Sequence, residues 1–297
     1  MDHLLESDDH DRGLSHDLKI MERMIRRRQM LRWAAGAGTA ALLAGCGDDG
    51  GSGTTASSSS TATPTPTPTP TATSTASSSA CIADPAETNG PYPADGTNSS
   101  SGSTSNVLTA SGVVRSDIRT SFIGSTNTAP GFTLTLTLTL VNSNASCAPL
   151  SGYAIYIWCC DANGEYSLYS VPAESWLRGV QVTDANGQVT FTMVFPACYS
   201  GRWPHIHFEV YSSLSAATSG RNAALISQIA MPQAVCNTVY ADTATYPASA
   251  TNLARITIAS DNVFGDNSSA QIAQMTASVT GSNAAGYAAA NTIGIAV

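Results

Sequence analysis

The feature that most constrains the fold is a strict alternation of threonine and leucine along residues 132–141. Because successive side chains of a strand point to opposite faces, this run predicts a strand with one buried face. Further strands are predicted at residues 154–158, 180–183, 188–195, 206–210, 254–258 and 292–296, with Asn-Gly turns at 163–164 and 186–187. The sequence shows no pattern of a long helix. An all-β sandwich of two packed sheets is therefore the expected architecture.

The first 46 residues read as a leader. Residues 26–46 combine arginines with a short apolar run and end in Leu43-Ala44-Gly45-Cys46, which resembles a lipobox with Cys46 as the lipidated residue. Arg27-Arg28 resembles a twin-arginine signal, with an ordinary secretory leader as the alternative. We expect the protein to be exported and either anchored by Cys46 to the outer face of a membrane or secreted.

Residues 47–80 are predicted to be a disordered Ser/Thr/Pro linker. The Thr-Pro repeat at residues 63–70 favours extended polyproline II, so this segment reads as a semi-rigid tether. The globular domain is then expected over residues 81–297, a normal size for one all-β domain.

The charge distribution argues against some partners. The net charge is −8, and the lysine, Lys19, lies in the leader. The expected domain has only the cations Arg115, Arg119, Arg178, Arg202, Arg221 and Arg255. A domain with so few cations has no electrostatic footprint for nucleic acid, and membrane association is expected only through the lipid anchor.

Six cysteines remain after Cys46, and an even number in an exported chain favours disulfides. Their connectivity is left open by the sequence. Cys159 and Cys160 are adjacent on a predicted strand and point to opposite faces, so we expect them to bond to different partners. Thiolate metal binding is the alternative, disfavoured because the chain has no Cys-x-x-Cys pair.

The histidine pattern indicates a metal site. Beyond the leader the chain keeps only His205 and His207, which share one face of a predicted strand. Tyr166 and Tyr199 stand close in sequence, and two imidazoles with two phenolates are donors suited to Fe(III). An isolated His-x-His is more often structural, and a lone tyrosine is usually a core residue. A cupin or a three-histidine zinc hydrolase would need a third histidine, and the chain has none beyond the leader, so both classes are disfavoured.

Several motifs occur together in a characteristic order. They are Glu87-Thr-Asn-Gly-Pro-Tyr-Pro93, Ser116-Asp-Ile-Arg119, Gly152-Tyr-Ala-Ile-Tyr-Ile-Trp158, Asp161-Ala-Asn-Gly-Glu-Tyr166, the run from Trp176 to Thr192, and Tyr199-Ser-Gly-Arg-Trp-Pro-His-Ile-His207. This combination resembles the intradiol ring-cleavage dioxygenases, in particular their extracellular branch similar to protocatechuate 3,4-dioxygenase. The resemblance covers nearly all of residues 81–297.

The resemblance implies a β-sandwich that holds Fe(III) through Tyr166, Tyr199, His205 and His207. Tyr199 matches the tyrosine that leaves the iron when a catechol binds, and Tyr166 the one that stays. Arg202 matches the arginine beside the substrate ring. Gln228 matches the active-site glutamine, with a looser alignment because the segment after residue 210 is longer. The activity implied is O2-dependent cleavage of a catechol between its hydroxyl carbons, giving a muconate-type diacid.

The substrate expected is a small neutral catechol or a lignin-like phenolic, because no cationic pocket for a carboxylate is evident. Arg221 is the only extra cation near this part of the sequence, and a solvated loop charge is its expected role. One alternative is a non-catalytic, tethered β-sandwich binding module with the same fold. Another is a surface enzyme that acts on aromatic polymers with the same site.

Overall fold

The computed structural model of the chain describes residues 81–297. The predicted leader and linker, residues 1–80, lie outside the described residues. The described part contains two sheets and three short α-helices in the order β1 (Thr133–Asn142), β2 (Ala148–Pro149), β3 (Ala154–Trp158), β4 (Arg178–Val182), β5 (Gln188–Val194), β6 (His205–Tyr211), β7 (Leu225–Ala230), α1 (Gln233–Tyr240), α2 (Ser249–Leu253), α3 (Ser269–Met275), β8 (Ser278–Ser282) and β9 (Gly286–Ile295). The predicted all-β class is confirmed.

The first sheet is built around β1. This strand pairs antiparallel with β5 and with the short β2, and parallel with β9, which in turn pairs with β8. The leucines of β1, at positions 134, 136, 138 and 140, are fully buried, and the alternating threonines are only partly buried. The side chains of β1 therefore alternate between buried and partly buried with the period of two that the sequence predicts.

The second sheet carries the site and has the strand order β4-β3-β6-β7. All neighbouring strands are antiparallel, and every residue of β3 and β6 is buried. The register sets Trp158 of β3 beside His207 of β6, and Gln228 of β7 on its other side. A central strand covered on both faces can hold polar side chains away from water, as a metal site requires.

The strand predicted at residues 254–258 is wrong. That segment follows α2 as a turn and enters a short 3₁₀ helix at Ile258–Ser260. Thr257 caps this helix: its hydroxyl accepts from the backbone N–H of Ser260, and its own backbone N–H donates to the Ser260 hydroxyl. The side-chain cap competes with strand pairing, and it overrides the alternation of these five residues.

The cysteine prediction is confirmed in part. Cys81 and Cys147 form a disulfide with their Cα atoms 5.6 Å apart. The prediction that Cys159 and Cys160 bond to different partners is wrong, because both are free and buried, as are Cys198 and Cys236. Burial raises the pKa of the Cys198 thiol to about 12. These four thiols act as small apolar core groups, which is a common use of buried cysteine.

None of the helices within residues 81–297 is long and apolar enough to cross a membrane.

Candidate metal centre

Two histidines of β6 form the floor of the site. His205 and His207 lie on the same face of the strand, both about 2% exposed, and their Nε2 atoms are 3.1 Å apart. The Nδ1–H of His205 donates to the backbone carbonyl of Trp203 at 2.5 Å. This bond fixes the ring orientation and leaves the Nε2 lone pair facing the site.

His207 is held by stacking. Its ring lies parallel to the indole of Trp158, at 5° and 4.7 Å between centroids. Its Cε1 atom also faces the backbone of Gly90, where an added Cβ would come within 3.1 Å. The imidazole is therefore confined from two directions while its Nε2 points toward His205.

Two tyrosines complete the donor set from loops. Tyr166 follows the Asn-Gly turn after β3, a turn held by Asp161, whose carboxylate accepts from the N–H groups of Asn163 and Glu165. Tyr199 comes from the loop between β5 and β6 and is only partly buried, whereas Tyr166 is 1% exposed. Tyr199 therefore stands at the more accessible edge of the site.

The four donor atoms converge. The Tyr166 and Tyr199 hydroxyl oxygens are 3.5 Å apart, and they lie 3.5 and 3.3 Å from His205 Nε2. Ligands about 2.0–2.1 Å from one metal ion are separated by roughly 2.9–3.4 Å in octahedral to tetrahedral arrangements. The donor set therefore has the spacing of a first-row metal site.

Burial sets the protonation states of these groups in the absence of a metal. Burial lowers the pKa of His205 to about 3, assisted by the charge of Arg202, and lowers the pKa of His207 well below its ordinary value. Burial raises the pKa of Tyr166 well above its ordinary value, and raises that of Tyr199 to about 12 against the opposing charge of Arg202. Neutral imidazoles are ready ligands, whereas both phenols must lose a proton on binding.

Arg202 and Gln228 lie together beside the donors. Arg202 is 3% exposed, and its Nη2 donates to Gln228 Oε1 at 2.7 Å. The Gln228 amide donates in turn to the backbone carbonyl of Thr88 at 3.0 Å. The structure thus brings together all six site residues predicted from the sequence. Gln228, whose alignment with the family was the loosest, is among them.

Two neighbours of the site were given no role in it by the sequence. Asp261 is buried and pairs with Arg202 at 2.9 Å, although it lies 59 residues further along the chain. Tyr92 packs on Tyr166 with 4.8 Å between ring centroids. No pattern in the neighbouring sequence indicates that Asp261 belongs to the site, because its contacts with Arg202 and Trp203 form only when distant segments fold together.

The types of donor atom in the site limit which metal ion it can hold. Among residues 81–297, no three His, Cys, Asp or Glu side chains come together in a way that could hold a metal ion. The phenols are therefore needed to complete the donor set, and phenolate is a hard anionic ligand that suits a highly charged ion. Two phenolates and two neutral imidazoles fit Fe(III).

Comparison by sequence finds neither a matching family model nor a matching curated protein. Comparison by structure gives clear similarities. An intradiol ring-cleavage dioxygenase from Tetranychus urticae matches at 24% identity and a TM-score of 0.53, over 73% of this chain and 95% of that one. A second solved dioxygenase matches at 24% identity and a TM-score of 0.54, with the same coverage.

The dioxygenase domain of a carbohydrate-binding fusion from Streptomyces sp. SirexAA-E matches at 20% identity and a TM-score of 0.43, over 73% of this chain and 99% of that one. The fold of the described residues, two packed sheets with the polar site on β6, is that of the intradiol ring-cleavage dioxygenases.

Proposed function

We propose that the chain is a non-haem Fe(III) dioxygenase that cleaves a catechol-type ring between its two hydroxyl carbons with O2, giving a muconate-type diacid. The observation that carries the proposal is that the two tyrosine oxygens and His207 Nε2 all lie within 3.5 Å of His205 Nε2. This cluster lies on a fold shared with intradiol dioxygenases.

Tyr166, Tyr199, His205 and His207 would hold the iron. Bound Fe(III) would supply Lewis acidity and one-electron chemistry, through which a catecholate can react with O2. Four protein donors on a five- or six-coordinate ion leave room for a substrate. The residues around the ion supply position, charge and proton transfer.

Tyr199 is the proposed proton acceptor. It is the more exposed of the two tyrosines, so it can move without disrupting the core, whereas Tyr166 is fully packed against Tyr92. A phenolate released into a site where the pKa of the phenol is about 12 binds a proton strongly. Tyr199 is therefore suited to take a catechol hydroxyl proton as the substrate enters.

Arg202 and Gln228 are the proposed stabilising groups. The guanidinium lies close enough to Tyr199 to lower the pKa of that phenol against the effect of burial. A fixed cation beside the reacting ring stabilises negative charge that develops there. Gln228 holds the guanidinium through its amide oxygen, so the two residues act as a unit.

The charge of the site favours a neutral substrate, either a small catechol or a lignin-like phenolic. The Arg202 charge is already balanced by Asp261. Arg178, also fully buried, directs its donors to oxygen atoms of the protein, at Ser167, Tyr156, Tyr92 and Pro93. Neither arginine is free to pair with a substrate carboxylate, so we expect carboxylated catechols to be poor substrates.

Export is part of the proposal. The lipobox-like Cys46 and the Thr-Pro segment support a domain held by a lipid anchor outside a membrane, with the twin-arginine and general secretory routes both open. Export of an already folded metalloprotein would suit the twin-arginine route.

The test uses the full chain purified in air. We expect about one iron per chain and a visible tyrosinate-to-iron band that shifts when catechol is added, with O2 consumed during turnover. Tyr166→Phe should lose most of the iron and the activity, and Tyr287→Phe, which removes a phenol from β9 in the other sheet, should keep both.

A colourless protein that remains iron-free and inactive after incubation with ferric iron would contradict the proposal and favour the non-catalytic binding module. Full activity of Tyr166→Phe would contradict the ligand assignment. Faster turnover of polymer-derived phenolics than of free catechols would favour the enzyme acting on aromatic polymers.

A further inference from the structure

We propose that Asp261 is a positioning residue that orients both Arg202 and His205 through one carboxylate. The inference deepens the proposed function and rests on it. It is carried by a set of hydrogen bonds that join Asp261 to the arginine on one side and to a metal-facing imidazole on the other.

The first branch reaches the arginine. Arg202 Nε lies 2.9 Å from Asp261 Oδ2, and Arg202 Nη2 lies 3.4 Å from Oδ1. The Asp261 side chain is completely buried, and the Arg202 side chain is 3% exposed. The guanidinium is thus held by Asp261 on one edge and by Gln228 on Nη2. A planar fork fixed at two edges has little freedom to rotate.

The second branch reaches the histidine through one residue. Asp261 Oδ2 accepts from the backbone N–H of Trp203 at 2.7 Å. The carbonyl of that same residue accepts from His205 Nδ1–H. The Trp203 indole is fixed as well, donating to the Met231 carbonyl at 2.9 Å. The position of Trp203, and with it the direction of His205 Nε2, therefore depends on Asp261.

Asp261 is itself rigidly held. Its Oδ1 accepts from the backbone N–H groups of Val263 and Phe264 at 2.8 and 3.1 Å. Burial alone would raise the pKa of Asp261, but Arg202 and the backbone donors lower it, so the carboxylate stays charged. A charged, preorganised carboxylate can serve as the fixed point for both branches.

The two branches predict two separable effects. The Arg202 branch affects turnover of the bound substrate, and the Trp203–His205 branch affects iron affinity. A merely structural role would lower stability and would not separate these two readouts.

The experiment compares Asp261→Asn, Arg202→Met and the double variant in the full chain. Iron affinity is measured by chelator competition, the tyrosinate band by absorption, and kcat and KM with catechol. Asp117→Asn is the matched control, since Asp117 pairs with Arg119 in an ion pair exposed at the surface. The control should retain wild-type iron affinity and kcat.

We expect Asp261→Asn to lower iron affinity by about 10–100-fold, to shift the band, and to lower kcat by about tenfold or more. Arg202→Met should lower kcat with iron affinity within about threefold of wild type. The double variant should show the iron affinity of Asp261→Asn and a kcat no lower than that of Arg202→Met, because Asp261 acts on turnover through the arginine.

Asp261→Asn leaves a buried arginine without its counter-charge and can fail to fold, and in that case the double variant decides, since it removes both charges. Wild-type iron affinity in the double variant, or in a folded Asp261→Asn, would overturn the inference. A wild-type protein that binds no iron would instead refute the proposed function, and the inference with it.

Discussion

A backbone contact against a histidine gives the sharpest prediction. Gly90 has φ +71°, a left-handed conformation, and an added Cβ would lie 3.1 Å from Cε1 of His207 and 3.8 Å from its Nε2. Replacing Gly90 by alanine therefore has two effects. The backbone is strained by roughly 1–2 kcal/mol, as for any L-residue with a side chain in this conformation. The new methyl group also presses on the imidazole.

His207 cannot easily yield to this contact. Its ring is stacked on Trp158 at 5° and 4.7 Å, and Trp158 is itself stacked on Tyr156, with all three rings fully buried or nearly so. If the new methyl group displaces the imidazole by a few tenths of an ångström, the Nε2 atom of His207 moves with it. We expect iron affinity to fall by about tenfold or more, which corresponds to about 1.4 kcal/mol.

Gly124 provides the matched control. It also has φ +71°, but nothing lies within 4 Å of the position of its Cβ. Gly124→Ala and Gly90→Ala should both lower the free energy of unfolding of the iron-free protein, measured with urea, by about 1–2 kcal/mol. Only Gly90→Ala should weaken iron binding in a chelator competition. Equal iron affinity in the two variants would refute the claim that the backbone at Gly90 fixes His207.

Three further predictions concern protons and covalent structure. Burial raises the pKa of Asp84 to about 7, so the folded state retains a proton that the unfolded state releases. As the pH rises from about 4 to 7, this proton should contribute a loss of stability of up to about 1.4 kcal/mol per pH unit, and Asp84→Asn should reduce the slope by that amount in urea titrations. Iron binding should release about two protons at neutral pH, from Tyr166 and Tyr199, in a pH-stat titration, and release of none would contradict phenolate ligation. Replacing Cys81 and Cys147, which are 66 residues apart, by serine should cost about 4 kcal/mol in the free energy of unfolding, and an unchanged urea midpoint would contradict this.

The sequence predicted the parts of the fold that depend on local pattern. The alternation along β1 and the Asn-Gly turns before Tyr166 and β5 depend on a few neighbouring residues, and the structure has them where expected. The two histidines of β6 were predicted to share a face for the same reason. The structure brings Tyr166 and Tyr199 to them, as the resemblance implied, although neither composition nor spacing placed these loops.

What could not be predicted depends on contacts between distant segments. Asp261 meets Arg202 across 59 residues, and nothing near Asp261 in the sequence indicates a buried ion pair. The run of residues 254–258 alternates like a strand, but Thr257 and Ser260 cap a helix instead. Cys159 and Cys160 lie in a tightly packed core, where the even number of cysteines gave a misleading expectation of disulfides.

The parallel pairing of β1 with β9 has a consequence for how the protein is made. Roughly 150 residues of chain separate the two strands, a non-local pairing of the kind that slows folding. In a nascent chain the edge of β1 that pairs with β9 stays open until β9 has left the ribosome, so the first sheet can be completed only after that strand is made. We therefore expect newly made chains to depend on chaperones that cover this edge of β1 during the interval.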